Sequence, residues 1–180
     1  MSYGSFLHEK MKKRVIFVPA DDKHLEEFKK FETSLRKFHN EEFLPLLRFD
    51  NPTSDPHFFY RAKPILAREL MKEYETVIGA DSDQIVCGDI SSIWNESEYF
   101  DVGVVMNDPT YPINLWDISP GGRYYNNGLV VLRSHEFIEH WYRLCMSNHF
   151  NSYQFREQDI LNILCSDYFN YKVKWLEEKD

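Results

Sequence analysis

The stretch "TVIGADSDQIVCGDI", residues 76–90, decides how the chain is read. It opens on an apolar run that ends at Ala80 and reads as a buried strand. Two aspartates, Asp81 and Asp83, stand at its exit, and hydrophobic residues resume at Ile85. In an extended chain, residues two apart project to the same side. Carboxylates so placed repel each other unless a cation lies between them or both point into water. Asp89 reads as an ordinary turn residue.

Outward from that stretch, strands and helices alternate. "RVIFV", 14–18, is a short buried strand ended by Pro19. "ADD" follows, with Asp21 or Asp22 as N-cap of a helix that runs to about Phe38. Its apolar face is Leu25, Phe28, Leu35 and Phe38. "LPLLRF", 44–49, is a second strand, "DNPTSDP", 50–56, a loop, and 60–73 a helix. After the aspartates come a strand at 101–107 and a long irregular loop at 108–122. A strand at 126–133, helices at 135–146 and 155–164, and a last strand at 171–176 complete the pattern. This order predicts an α/β fold with parallel strands, which places ligands at the carboxyl ends of its strands.

The bulk numbers bound the function. At 180 residues one domain is expected, residues 14–180, after an N-terminal extension of 1–13. Lys+Arg 21 against Asp+Glu 29 leaves a net charge of −8, which argues against a general nucleic-acid binder. It leaves room for a phosphate-bearing small molecule neutralised by a metal ion. Cys87, Cys145 and Cys165 show no paired spacing and predict buried, reduced thiols in a cytoplasmic protein. No apolar run reaches the length of a transmembrane helix, and the start has no signal-peptide core.

Five features carry chemistry, each beside a plainer reading. Asp81 and Asp83 suit a hard divalent cation, Mn²⁺ or Mg²⁺; a solvated acidic turn is the alternative. Asp21, in "PADD", could accept from a base or ribose, and could equally cap a helix. Asn126 and Asn127, before Gly128, offer donors and acceptors for sugar hydroxyls or form an Asn-Gly turn. Glu157 and Gln158 open a helix, where acids are favoured by the dipole alone. Arg61 and Lys63 sit where the dipole disfavours cations, which points to an anion such as a diphosphate or to a solvated helix end.

In this order, "ADD", "R-x-K", "ADSD", "NNG-LVVL" and "EQDILN" resemble the nucleotide-sugar-binding part of a GT-A glycosyltransferase. The similarity is to the retaining family that includes glycogenin and bacterial lipopolysaccharide galactosyltransferases, over roughly residues 14–165. It implies a GT-A fold: a mixed, mostly parallel central sheet flanked by helices. It also implies metal-dependent transfer of a sugar from a nucleotide diphosphate sugar, a UDP-sugar first, to a glycan, lipid-linked sugar or protein acceptor. By that resemblance Asp81 and Asp83 hold the metal, and Asp21, Lys23, Arg61, Lys63 and Asp81 the donor. Asn126, Glu157 and Gln158 line the transferred sugar. In an inverting variant, Glu157 or Asp159 serves as general base. Two departures stand out. Glu157 replaces the family's usual aspartate, and the family's C-terminal histidine ligand has no counterpart before Asp180. The rivals are an inactive nucleotide-sugar binder, a nucleotidyltransferase, which usually has a Gly-rich basic loop that "PADDKHL" lacks, and a D-x-D-x-T phosphohydrolase. The last is disfavoured because position 85 is Ile.

Overall fold

The computed structural model describes residues 12–50, 58–94, 97–106 and 123–176. Of the expected loops at 50–56 and 108–122, all but Asp50 lies outside the described residues. Strand β1 is Lys12–Pro19, so it begins inside the expected extension. A 3₁₀ turn leads into helix α1, Leu25–Leu35, and β2 is Leu46–Phe49. Helix α2 is Phe58–Leu70, β3 Tyr74–Ala80, β4 Val102–Met106 and β5 Tyr125–Leu132. Helix α3 is His135–Cys145, α4 Glu157–Leu164 and β6 Val173–Trp175.

The six strands form one sheet in the order β2-β1-β3-β5-β4-β6. Only β5 runs against the rest: its pairings with β3 and β4 are antiparallel, and the remaining pairings are parallel. Strands β1 and β3 are buried on both faces, which explains their unbroken β-branched runs. Alternation divides β1 between two cores. Val15 and Phe17 pack with Ala62, Leu66, Trp141 and Ile160, from α2, α3 and α4. Ile16 and Val18 pack with Phe28, Phe31 and Leu35 from α1 and with Trp94 and Phe100.

Three expectations are corrected. Helix α1 stops at Leu35 and Phe38 is 44% exposed. The chain turns there, and His39 goes inside instead, where its Nε2 accepts the Ile90 N–H at 3.1 Å. Cys87 is exposed, while Cys145 and Cys165 are buried free thiols. Lys63 is not at a helix end: α2 begins at Phe58, and Lys63 lies within it, 4% exposed.

Between β4 and β5 the register jumps. Val104 pairs with Val130, but Val105 pairs with Asn126. Asn127, Gly128 and Leu129 therefore have no partner on β4. Such a bulge bends a strand and re-aims its groups, and this one lies beside the exit of β3.

Candidate functional site

Because β5 is reversed, its first residues lie beside the carboxyl ends of β3 and β4. The Asp81 N–H donates to the Gly128 carbonyl at 2.8 Å, which ties the aspartate turn to the bulge. Lys63 reaches the same place from α2. Its Nζ donates to Asp81 Oδ1 at 2.7 Å and to the carbonyl of Asn127. The buried cation thus has its anion, the first of the two aspartates.

Helix α4 closes the cluster from the other side. Gln158 Oε1 accepts the Asn127 N–H at 3.0 Å, and Asn127 Nδ2 donates to Glu157 Oε1 at 3.3 Å. The bulge makes both backbone bonds of Asn127 possible, because no β4 partner competes for them. Two oxygens, Glu157 Oε2 and Asn127 Oδ1, are buried with no hydrogen-bond partner among the described residues. Buried polar groups left unmatched cost free energy that hydrogen bonds to a ligand would recover. A Cβ at Gly128 would lie 2.6 Å from Asn126 Oδ1, 2.8 Å from Gln84 Nε2 and 3.4 Å from Asp81 Oδ2, so the Asn126 and Gln84 side chains would have to shift to admit one.

The first turn of α4 is held by buried polar contacts. The Trp141 indole donates to the Glu157 carbonyl at 3.1 Å. Asp159, fully buried, accepts from the Tyr124 hydroxyl and from the Phe155 N–H at 2.8 Å. Both of its oxygens are committed to structure, which sets Asp159 apart from a base open to substrate. Arg156, which precedes the helix, is the residue with φ 50, a left-handed conformation that costs a non-glycine residue energy. Its guanidinium lies over the rings of Tyr60 and Phe150.

The remaining residues singled out from the sequence make other contacts. Asp21 caps the 3₁₀ turn, accepting from the Lys23 and His24 N–H groups and meeting His24 Nδ1 at 2.6 Å. Partial burial pushes its carboxyl up, but the His24 and Lys23 hydrogen bonds outweigh this and hold it below the usual range. The cap reading of Asp21 therefore holds, whatever else the carboxylate binds. Lys23 is exposed. Arg61 lies over the Phe150 ring at 4.4 Å. Asp83 is exposed in the turn after β3, and Asn126 is half-buried with Oδ1 accepting the Gly128 N–H. The sequence offers both asparagines, and the resemblance gives the role to Asn126, but it is Asn127 that meets both Glu157 and Gln158. Two adjacent asparagines give no signal for which one a bulge turns inward.

Glu157 is the most perturbed acid of the cluster. Burial, reinforced by the charge of Asp81 and opposed by Lys63, pushes its carboxyl up to about 8. It is thus largely protonated at neutral pH. A folded value above the ordinary 4.5 means that the folded state holds this proton more tightly than the unfolded chain. The resulting stabilisation is complete below pH 4.5 and is lost as pH rises through about 8. Its upper bound is roughly 5 kcal/mol, at about 1.4 kcal/mol per unit. Glu157→Gln, neutral throughout, is expected to flatten the fall in urea midpoint between pH 5 and 8. Identical pH slopes in the two proteins would show that Glu157 does not titrate in that window.

The residues fit a hard divalent cation in one respect. Asp81 is half exposed and Asp83 exposed, so both offer oxygens at the open edge. Among the described residues no group of three His, Cys, Asp or Glu stands together. Mg²⁺-type sites often take one or two carboxylates and leave the other positions to phosphate and water, and this donor set matches that kind.

No protein-family profile and no curated protein matches the sequence. Solved structures do. The glycosyltransferase GlyE of Streptococcus pneumoniae TIGR4 superposes with TM-score 0.63 at 16% identity, over 93% of this chain. This chain spans 46% of that GlyE chain. The galactosyltransferase LgtC, in complex with donor and acceptor sugar analogs, gives 0.63 at 17% identity, over 91% of this chain and 73% of its own. Mouse xyloside xylosyltransferase 1 gives 0.60 at 11% identity, over 93% and 86%. These likenesses establish the architecture: the chain has the GT-A fold that the motif order implies.

Proposed function

We propose that this chain is a glycosyltransferase that takes a sugar from a nucleotide diphosphate sugar, a UDP-sugar first among them. The observation that carries the reading is one cluster at the carboxyl edge of a GT-A sheet. There a buried lysine, its partner Asp81 and two unmatched buried oxygens stand together, with Asp83 exposed two residues further on. A diphosphate needs cationic partners and a sugar supplies hydroxyls, so one donor molecule would answer all three features.

Each residue has a task in this reading. Lys63 lends positive charge where negative charge grows on the leaving diphosphate. Asn127 Oδ1 accepts from a sugar hydroxyl, and Glu157, a neutral acid at pH 7 whose Oε1 already accepts from Asn127, donates its Oε2–H to one. Gln158, fixed through its Oε1 to the Asn127 N–H, holds the first turn of α4 against the bulge where the sugar would lie, with Asn126 nearby. Asp21, Lys23 and Arg61 are assigned to the nucleotide by family resemblance. Asp81 and Asp83 would hold Mn²⁺ or Mg²⁺, which when bound supplies charge neutralisation to the diphosphate. Retention of anomeric configuration, like a cytoplasmic location, is carried over as part of the same reading. No described helix is long and apolar enough to cross a membrane.

The test is titration of UDP with and without Mn²⁺, followed by hydrolysis of a panel of UDP-, GDP- and CDP-sugars. UDP is expected to bind about tenfold tighter with the metal, or about 1.4 kcal/mol. Asp83→Ala is expected to erase that gain. Metal-independent UDP binding would remove the metal assignment. Tight UDP binding with no hydrolysis of any donor would favour the inactive binder.

A further inference from the structure

A cavity lies at the other end of α4. It measures about 780 Å³, within the range of roughly 300–1,000 Å³ typical of small-molecule sites. Its walls include Arg123, Ser166, Asp167, Tyr168, Tyr171 and Trp175. Helix α4 carries Gln158 in its first turn and is followed by Cys165 and Ser166, which line the cavity. At 1.5 Å per residue the two ends of this 8-residue helix are about 12 Å apart.

The lining has a particular chemistry. Tyr168 is 80% exposed and Trp175 45% exposed, an unusual display of aromatic surface. The Arg123 guanidinium lies 5.0 Å from the Trp175 ring centroid, which steadies both side chains. Asp167 is exposed beside Tyr168. The Ser166 hydroxyl donates to the Ile163 carbonyl at 2.6 Å, and its oxygen can still accept. Flat aromatic faces suit the C–H faces of pyranose rings. A carboxylate, a guanidinium and a hydroxyl around them suit vicinal hydroxyls. One positive and one negative side chain balance, so the matching ligand is neutral. A greasy ligand would leave Asp167 and Arg123 unmatched.

We propose that this cleft is a saccharide subsite that takes the non-reacting part of a neutral oligosaccharide acceptor. This rests on the transferase reading above, because α4 links the cleft to the proposed transfer site. Tyr168 supplies the principal stacking face, Asp167 accepts from sugar hydroxyls, and Arg123 donates to them. Such a subsite would favour acceptors of two or more sugar units over single sugars.

The experiment follows the Trp175 indole N–H by NMR on the full chain. Lactose, maltotriose and N,N′-diacetylchitobiose are titrated with and without saturating UDP. At least one oligosaccharide is expected to shift that resonance in a saturable way, whether or not UDP is present. Tyr168→Ala, at a position too exposed to threaten folding, is expected to weaken that binding about tenfold. Trp175→Ala, followed by isothermal titration because it removes the NMR reporter, should do the same, with the Tyr168 variant guarding against a folding artefact. No saturable shift with any of the three sugars, competition by UDP, or unchanged affinity in Tyr168→Ala would overturn the proposal. The two readings fail separately. Donor hydrolysis without oligosaccharide binding sinks only the cleft; oligosaccharide binding without donor binding or hydrolysis sinks the transferase assignment.

Discussion

Lys63→Met is expected to lower donor-sugar hydrolysis by about 10²-fold or more, the scale for loss of one preorganised charge at a reacting centre. The lysine is 4% exposed and its Nζ bridges Asp81 and the Asn127 carbonyl. Methionine keeps most of the stem's volume, so packing should survive. What disappears is the charge and the donor to the bulge. Asp81 is half exposed, so water can replace its partner at modest cost. The Asn127 carbonyl has less access to water, and leaving it unmatched should cost about 1–3 kcal/mol. The expected result is a folded protein with a modestly lower urea midpoint and almost no turnover. Arginine should not rescue, because a planar fork cannot occupy a pocket shaped for a single ammonium. Turnover within threefold of the parent in Lys63→Met would remove the lysine from the mechanism.

Trp141→Ala is expected to be the most destabilising single change, at about 3–5 kcal/mol. That is a large share of the roughly 5–15 kcal/mol that holds a domain together. Trp141 is fully buried between α2, α4 and the sheet, and its indole is the donor to the Glu157 carbonyl. Trp141→Phe separates the two roles. It keeps most of the buried apolar area and loses the hydrogen bond, at about 1 kcal/mol. If the indole positions the first turn of α4, the phenylalanine variant will lose kcat for donor hydrolysis beyond its small stability loss. An unchanged kcat in Trp141→Phe would show that Trp141 is packing alone.

The fold was legible because its signals are local. "RVIFV" and "TVIGA" are apolar on both faces, and that marks central strands before any tertiary contact is known. Helix α3 was placed nearly to the residue because Phe137, Ile138 and Trp141 recur at helical spacing. The site was legible in part. The aspartate pair, Lys63, Glu157 and Gln158 stood out by type and position. The reach of Lys63 to Asp81 did not, since it depends on how far α2 slides along the sheet. Nor did the inward turn of Asn127, which rests on a register jump that pairing sets and composition does not. Phe38 was misplaced because helical spacing says nothing of where a helix stops.

The reversed strand β5 also governs when the site can come into being. Lys63 and Asn127 are 64 residues apart in sequence, and Asn127 and Gln158 31 apart. Neither meeting is possible until β5 has been inserted between β3 and β4, a closure of long loops that is intrinsically slow. During refolding, β1, β2, α2 and β3 can therefore associate while the cluster is still in pieces. Recovery of nucleotide affinity should then lag behind recovery of helical signal, and that delay would time the arrival of the central strand.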